Sequence, residues 1–339
     1  MSVTIKEVAR QAGVSVGTVS HVLNGKPGEF SESTRDRVME AVGQLGYHPN
    51  RVARSLVRRQ SMALGVSFVN HGASLADNPY LADVLDGMIN AASEDGYNIT
   101  LYTRLPPDDE EKHLPLLLDR HVDGLCLVAP NVDSQLPRLL RKARMTFVVV
   151  GVSDPGKGIP WLDVDNEAGA RMAVECLLRH GHRKIAHFAG PTTQKAAGQR
   201  ETAFRDTMRR YCLPVRPEWV IPCGFDTSRA YQAARALLAR PDRPTAIFAA
   251  HDETALGVLE AARERRIAVP QQLSVIGFDD IREASLAVPA LTTIRQPSRA
   301  IGYAAAKVLV SMLGGDEQPI ARRFTPTLVE RASVGPPAS

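Results

Sequence analysis

The chain has 339 residues, 44% hydrophobic and 23% charged, which excludes a disordered chain, a collagen-like repeat and a disulfide-stapled miniprotein. Its 41 Lys and Arg against 37 Asp and Glu give a net charge of +4, and that excess is local. Residues 1–60 hold nine basic side chains (Lys6, Arg10, Lys26, Arg35, Arg37, Arg51, Arg54, Arg58, Arg59) and five acids (Glu7, Glu29, Glu32, Asp36, Glu40), leaving 32 of each sign in 61–339. Such asymmetry points to a polyanion-binding head on a neutral body. The opening residues carry Lys6, Glu7 and Arg10 without an apolar run, unlike a secretory leader, and no segment approaches the 18 or so apolar residues that span a membrane. Cys126, Cys176, Cys212 and Cys223 lack CxxC spacing and read as reduced thiols, so a cytoplasmic location is expected.

Residues 4–46 read as three short helices. Thr4 and Glu7 form a capping box ahead of a stripe of Ile5, Val8, Ala9 and Ala12, and Gly13 stops the helix. Ser15 caps a second helix carrying Val16, Val19, Val22 and Leu23, which Asn24-Gly25 ends. Ser33 is expected to cap a third, Thr34–Leu45, with Val38, Val42 and Leu45 inward and Gly46 closing it. Two helices joined by a tight Gly-containing turn and packed on a third make a helix-turn-helix unit. Residues 47–60 break at Pro49-Asn50 and then carry Arg51, Arg54, Arg58 and Arg59 with no acid. Two turns of helix with no core of their own should fold only against a partner.

From Ala63 onward strand-like runs alternate with amphipathic stretches. The strands are Leu64–Val69, Tyr97–Tyr102, Gly124–Val128, Thr146–Val150, Lys184–Phe188, Ala246–Ala249 and Leu273–Phe278. The helices are Leu81–Ala92, Glu167–Arg179, Arg200–Tyr211, Ser228–Leu238, Thr254–Arg265 and, after the segment Leu291–Gln296, Arg299–Leu313. Short apolar strands separated by such helices indicate parallel, doubly wound sheets, and seven units suit two α/β lobes better than one sheet.

The stretches TIKEVARQAGVSVGTVSHVLNG (Thr4–Gly25) and STRDRVMEAVGQLGYHPNRVARSL (Ser33–Leu56) closely resemble the DNA-binding head of the lactose-repressor (LacI/GalR) family of bacterial transcription regulators. The resemblance continues in order through Asn78-Pro79-Tyr80, Asp165-Asn166, Arg179-His180-Gly181-His182, Gly190-Pro191, Arg200 with Phe204, Val275–Asp280 and Leu291–Pro297. It implies an all-α helix-turn-helix head at 1–48, a hinge helix at 49–60, and a body of two doubly wound parallel-sheet lobes of periplasmic-binding-protein type at 61–339. The first lobe would take about 61–161 plus 292–322, the second about 162–291 plus 323–335.

On that resemblance the function is ligand-controlled repression, with double-stranded operator DNA of pseudo-palindromic sequence, a small-molecule effector and a second copy of the chain as partners. Val16, Gly17 and His21 occupy base-reading positions with Ser20 beside them, although an Arg commonly stands where this chain has His21, which removes a strong guanine contact. Thr18, Asn24 and Arg35 are better read as phosphate or scaffold contacts, and Thr4 and Ser15 count among the DNA-binding residues. Leu56, flanked by Asn50, Ala53 and Arg54, matches a residue that wedges a minor-groove base step. The alternative for Leu56 is packing on the body. In the body, Arg200 and Asp279 match charged effector contacts, expected to face each other across the cleft and to suit the vicinal hydroxyls of a sugar or sugar derivative. A structural inter-lobe ion pair is their other reading. Tyr80 matches a stacking aromatic, Gln194 and His251 pocket-lining positions, and Phe225 a second aromatic wall despite the short local spacing. His251 stands equally well as a pocket-edge histidine. No C-terminal leucine heptad follows, so a dimer is expected.

Other signals resolve to structure. Gly13-Val-Ser-Val-Gly17 fits the pattern of a nucleophile elbow, but a helix precedes Ser15 where the elbow needs a strand. His180-Gly-His182 and the trio His251-Asp-Glu253 invite a metal reading, but the first follows a helix end, where imidazoles complement exposed carbonyls, and no third ligand has convincing spacing; there is no phosphate-binding or dinucleotide fingerprint. No enzyme activity, metal or cofactor is expected. The competing classes are a solute-binding protein of a transporter, which has no use for the head, and a regulator responding to a nucleobase.

Overall fold

A computed structural model of the chain describes residues 3–23, 29–48, 60–68, 78–103, 110–316 and 320–338. Asn24, Asn50, Ala53, Arg54 and Leu56, with the expected hinge helix, lie outside the described residues. The chain forms two compact units, Met1–Ser61 and Met62–Ser339.

In the first unit, α1 (Ile5–Ala12), α2 (Val16–Leu23) and α3 (Glu32–Leu45) close around Val8, Val19, Val22, Val38, Ala41 and Tyr47. The Glu7 carboxylate accepts from the Thr4 backbone N–H at 2.7 Å and from its hydroxyl at 2.9 Å, the expected capping box. Ser15 Oγ accepts from the Thr18 N–H at 3.0 Å, and Gly13 and Gly46 end their helices at φ +64° and +60°. The third cap differs from expectation. Ser31, not Ser33, takes the Thr34 N–H at 3.2 Å, and the helix starts at Glu32. Phe30, packed on the head core, brings the chain in one step before Ser31, which leaves Ser33 inside the first turn.

The second unit holds two parallel sheets. The first has β1 (Ala63–Phe68), β2 (Asn98–Tyr102), β3 (Gly124–Val128), β4 (Phe147–Val150), β5 (Trp161–Val164) and β11 (Ala321–Phe324) in the order β11-β5-β4-β3-β1-β2. The second has β6 (Ile185–Ala189), β7 (Val220–Pro222), β8 (Ala246–Ala249) and β9 (Ser274–Ile276) in the order β7-β6-β8-β9. A short antiparallel pair, β10 (Thr293–Arg295) with β12 (Thr327–Val329), lies alongside β9 through bridges at Ile276–Thr292 and Asp279–Arg295.

The connecting helices are α4 (Pro79–Glu94), α5 (Leu114–Leu117), α6 (Leu136–Lys142), α7 (Asn166–Arg179), α8 (Lys195–Arg210), α9 (Thr227–Leu238), α10 (Asp252–Glu264), α11 (Arg282–Leu286) and α12 (Ser298–Leu313). The central strands are buried runs such as GLCLV and FVVV, covered on both faces as a parallel sheet requires, while the edge strands β2 and β11 are partly exposed. Helices α4 and α12 touch backbone to backbone. A Cβ on Gly87 would sit 2.0 Å from the Arg299 carbonyl oxygen, and one on Gly302 2.0 Å from that of Val84.

The chain passes between the sheets after β5, after β10 and after β11. These passages fall after Val164, Arg295 and Phe324, a few residues later than the expected 161, 291 and 322. The cause is pairing: β5 and β11 hydrogen-bond each other to their ends, and β10 stays with β12 beside the second sheet.

Candidate functional site

In the head, Val19 and Val22 face the core and turn Val16, Gly17, Ser20 and His21 to the other side of α2. Val16 is 41% exposed. A Cβ on Gly17 would meet only Ser15 Oγ at 3.5 Å, so the head does not itself require glycine there and the backbone is open to close approach. His21 Nδ1 lies 3.5 Å from the Glu29 carboxylate. The arrangement is a short exposed helix face, the shape that enters a major groove.

In the body, the strand ends of the second sheet gather Arg200, Asp279, His251 and Phe225. Arg200, 4% exposed on α8, donates through Nε to Asn166 Oδ1 at 2.9 Å and through Nη1 to the Ala250 carbonyl at 2.5 Å. Its guanidinium carbon lies 3.6 Å above the Phe278 ring centroid, and Nη1 is 3.6 Å from Asp279 Oδ1. Among the described residues none accepts from Nη2 and none donates to Asp279 Oδ2. Burial pushes the Asp279 carboxyl up to about 6 although Arg200 and Gln296 pull it down. Burial depresses Arg200 below its ordinary value, partly offset by Asp279 and Asp163.

Arg200 and Asp279 belong to one lobe, contrary to the expected placement across the cleft. Both α8 and the chain leaving β9 pack on the second sheet, so what faces them is the first lobe's Tyr80. Tyr80 occupies the first turn of α4, where Asn78 caps through the Leu81 N–H at 3.0 Å. Its hydroxyl sits 2.9 Å from where a Cβ on Gly151 would stand, a position at φ +78°, so a side chain there would displace it. Burial raises the tyrosine well above its ordinary value, with Asp163 and Asp279 adding to the rise and Arg200 opposing it.

His251 caps α10, accepting from the Thr254 N–H through Nδ1 at 3.2 Å, and its ring meets Phe225 at 4.5 Å. Burial and then the Arg200 charge hold it down to about 3, so it is neutral at pH 7 with its proton on Nε2. Gln194, ahead of α8, reaches the first lobe, donating to Ala129 O at 3.2 Å and Asn131 Oδ1 at 3.1 Å. The site thus joins Tyr80, Arg200, His251, Phe225 and Asp279, with Gln194 beside it as an inter-lobe tie.

Two carboxyls not singled out from sequence complete it. Asp163, 3% exposed in β5, accepts from the Val164 N–H at 2.8 Å; burial lifts it to about 6. Asp252, fully buried, is raised well above its ordinary value by burial and then by Asp279. Asp163 sits within the apolar run of β5 and Asp252 comes just after β8, and those placements were the available signals. His180 Nδ1 meets the Cys176 carbonyl at 2.9 Å, as a helix-end imidazole does. Among the described residues no group of three or more His, Cys, Asp or Glu could hold a metal, and no helix is long and apolar enough to cross a membrane.

Comparison with known proteins gives the same outline. Residues 4–50 match the family described as bacterial regulatory proteins, lacI family, and residues 174–334 match the periplasmic binding protein-like domain. The HTH-type transcriptional repressor PurR of Photorhabdus laumondii is 34% identical over 335 residues, covering 98% of this chain and 96% of that one. PurR of Yersinia pestis is 35% identical over 336 residues, with the same coverage. Among solved structures, the lac repressor dimer bound to operator and the anti-inducer ONPF superposes with a TM-score of 0.89 at 28% identity, covering 99% of this chain and 100% of that one. The transcriptional regulator CelR in complex with cellobiose gives 0.76 at 31%, covering 98% and 99%. With a helix-turn-helix head, a two-sheet body and relatives matched along nearly their whole length, the chain belongs to the LacI family of bacterial regulatory proteins.

Proposed function

We propose that this chain is a transcriptional repressor whose grip on operator DNA is set by a small molecule held between the two lobes of the body. The observation that carries this reading is the buried Arg200–Asp279 pair facing Tyr80, with Nη2 and Oδ2 unengaged by the described residues, in a chain that also exposes an α2 reading face. Nη2 and Oδ2, on side chains 5% and 12% exposed, are left open to a ligand that can bond to both. Relatives named as repressors and a neighbour bound to operator as a dimer support the DNA and dimer assignments.

For the effector, a guanidinium and a carboxylate side by side suit two neighbouring hydroxyls, and a family neighbour is bound to cellobiose. A sugar or sugar derivative is therefore the first reading. A nucleobase is the second, favoured by the aromatic faces of Phe225 and His251, 4.5 Å apart and inclined at 39°. On the DNA side, Thr4, Ser15, Thr18 and Asn24 hold phosphates, Val16, Gly17, Ser20 and His21 meet base edges, and Leu56 with Asn50, Ala53 and Arg54 enters the central minor groove.

Two measurements test this. Binding of the full chain to random duplex DNA should weaken steeply as salt rises; a flat, negligible response would exclude the repressor and leave a solute-binding protein. A melting-temperature screen of the full chain with cellobiose, glucose 6-phosphate, guanine and hypoxanthine should give a stabilising hit that Arg200→Ala abolishes. Leu56→Ala should weaken operator binding and spare that hit.

A further inference from the structure

The segment after Phe278 is unusual before any function is considered. Asp279 and Asp280 are consecutive non-glycine residues at φ +124° and +64°, a backbone that side-chain-bearing residues adopt only when their surroundings impose it. Three carboxyl groups supply that imposition, and all three hold the strand that leaves this lobe. Asp279 donates its N–H to Ile294 O at 2.7 Å, while its own carbonyl and Oδ1 accept from the Gln296 N–H at 3.2 Å and Nε2 at 2.5 Å. Asp252 accepts from Thr293 Oγ1 at 2.5 Å and from the Ile281 N–H at 3.0 Å.

Asp280 does more than either. Its Oδ2 takes Arg295 Nε and its Oδ1 takes Arg331 Nη2, each at 2.6 Å, with the carboxylate 7% exposed. Arg295 ends β10, just before the chain enters the first lobe through α12. Arg331 follows β12, just after the chain returns from β11, and binds back to Leu291 O at 2.8 Å and, through its N–H, to Thr292 Oγ1 at 2.9 Å. One carboxylate therefore ties two of the three inter-lobe passages to the residue adjoining Asp279.

We infer that Asp280 is a positioning residue for the regulatory response, clamping both passages to the loop that carries the effector contact Asp279. The inference rests on the proposed effector site. When Asp279 shifts to take a ligand, the Arg295–Asp280–Arg331 bridge makes both passages move with it, so occupancy becomes a change in lobe orientation. Asp280 touches no effector itself. A merely structural ion pair would, on removal, lower the melting temperature and leave the response intact.

The test compares the parent full chain with Asp280→Asn, using cellobiose and guanine as probes and an operator duplex selected by the parent from a randomised pool. The variant should bind the stabilising probe, and bind operator without probe, within about threefold of the parent. Its probe-induced change in operator affinity should fall below about twofold, from the roughly 5–150-fold that such coupling spans. A full response in Asp280→Asn overturns the inference. Should that variant fold poorly, Arg295→Gln, altered at a side chain 56% exposed, must blunt the response, and an unaltered response there overturns it equally. If neither probe acts on the parent, the effector assignment is what has failed, and the clamp is read by hydrogen exchange without ligand. The Gln296 amide should exchange at least about tenfold faster in Asp280→Asn while β6 and β8 amides are unchanged; an unaltered Gln296 rate overturns the clamp.

Discussion

Arg200→Met is the substitution whose energetics the site specifies most fully. Methionine keeps an unbranched apolar stem over Phe278 but leaves Asn166 Oδ1 and the Ala250 carbonyl without their donor, in a place where Arg200 is 4% exposed. Those losses cost about 2–4 kcal/mol together and do not depend on pH. The second cost does. Asp279 has a folded-state value near 6, above its unfolded value of 3.8, so its ionisation already opposes folding in the parent. In the parent that penalty stops growing once pH exceeds about 6. Without Arg200 the carboxyl moves higher, and the penalty keeps growing by about 1.4 kcal/mol per pH unit. The stability gap between parent and variant should therefore be smallest at pH 5 and widen as pH rises above 6, by at most about 1.4 kcal/mol per unit. Urea unfolding at pH 5, 7 and 8 reads this cleanly, because both tryptophans, Trp161 and Trp219, lie in the body. An equal gap at pH 5 and pH 8, or a total loss under about 1 kcal/mol, would refute the assignment of Asp279 as a carboxylate held ionised by Arg200.

Probe affinity of the parent should be flat above pH 7 and fall below pH 6 as Asp279 and Asp163, both near 6, take up protons while His251, held near 3, stays neutral; calorimetry showing constant affinity from pH 5 to 8 would remove Asp279 from the site, and Asp163→Asn keeping the fall assigns it to Asp279. Gly302→Ala places a methyl 2.0 Å from a backbone oxygen of α4 and should cost about 3 kcal/mol or more, whereas Gly43→Ala, with nothing within 4 Å on α3, should stabilise the head by about 0.5–1 kcal/mol in thermal unfolding. Ser31→Ala should cost the head about 1 kcal/mol and Ser33→Ala almost nothing, and the reverse order would return the cap to Ser33.

What the sequence disclosed follows from how locally each feature is encoded. Gly124–Val128 and Ala246–Ala249 are apolar on both faces, so their bounds were legible. β5 was not, because Asp163 interrupts its apolar run, and β11 was not, because an edge strand written ARRF reads as surface. The third cap failed for a different reason: Ser31, Ser33 and Thr34 offer three hydroxyls within one turn, and the packing of Phe30 selects among them. In the cleft the resemblance pointed to Arg200 and Asp279 and its second lobe, about 162–291, already held both, but their side-by-side pairing depends on α8 and the chain leaving β9 meeting at one sheet's edge. Asp252 carries no periodic signal at all, since its role is to accept from Thr293 Oγ1, 41 residues away.

The position of β11 bears on how the body is made. The first sheet places residues 321–324 beside residues 161–164, and α12, residues 298–313, covers it. A ribosome adding roughly 5–20 residues per second therefore needs on the order of 10–30 s after β5 emerges to deliver the strand that completes the sheet. Throughout that interval the free edge of β5 is open, and the second lobe's strands β6 to β9 all emerge before it ends. The body should thus acquire its second lobe first and close its first lobe last, and truncations short of residue 321 should leave an aggregation-prone edge in place of a smaller working body.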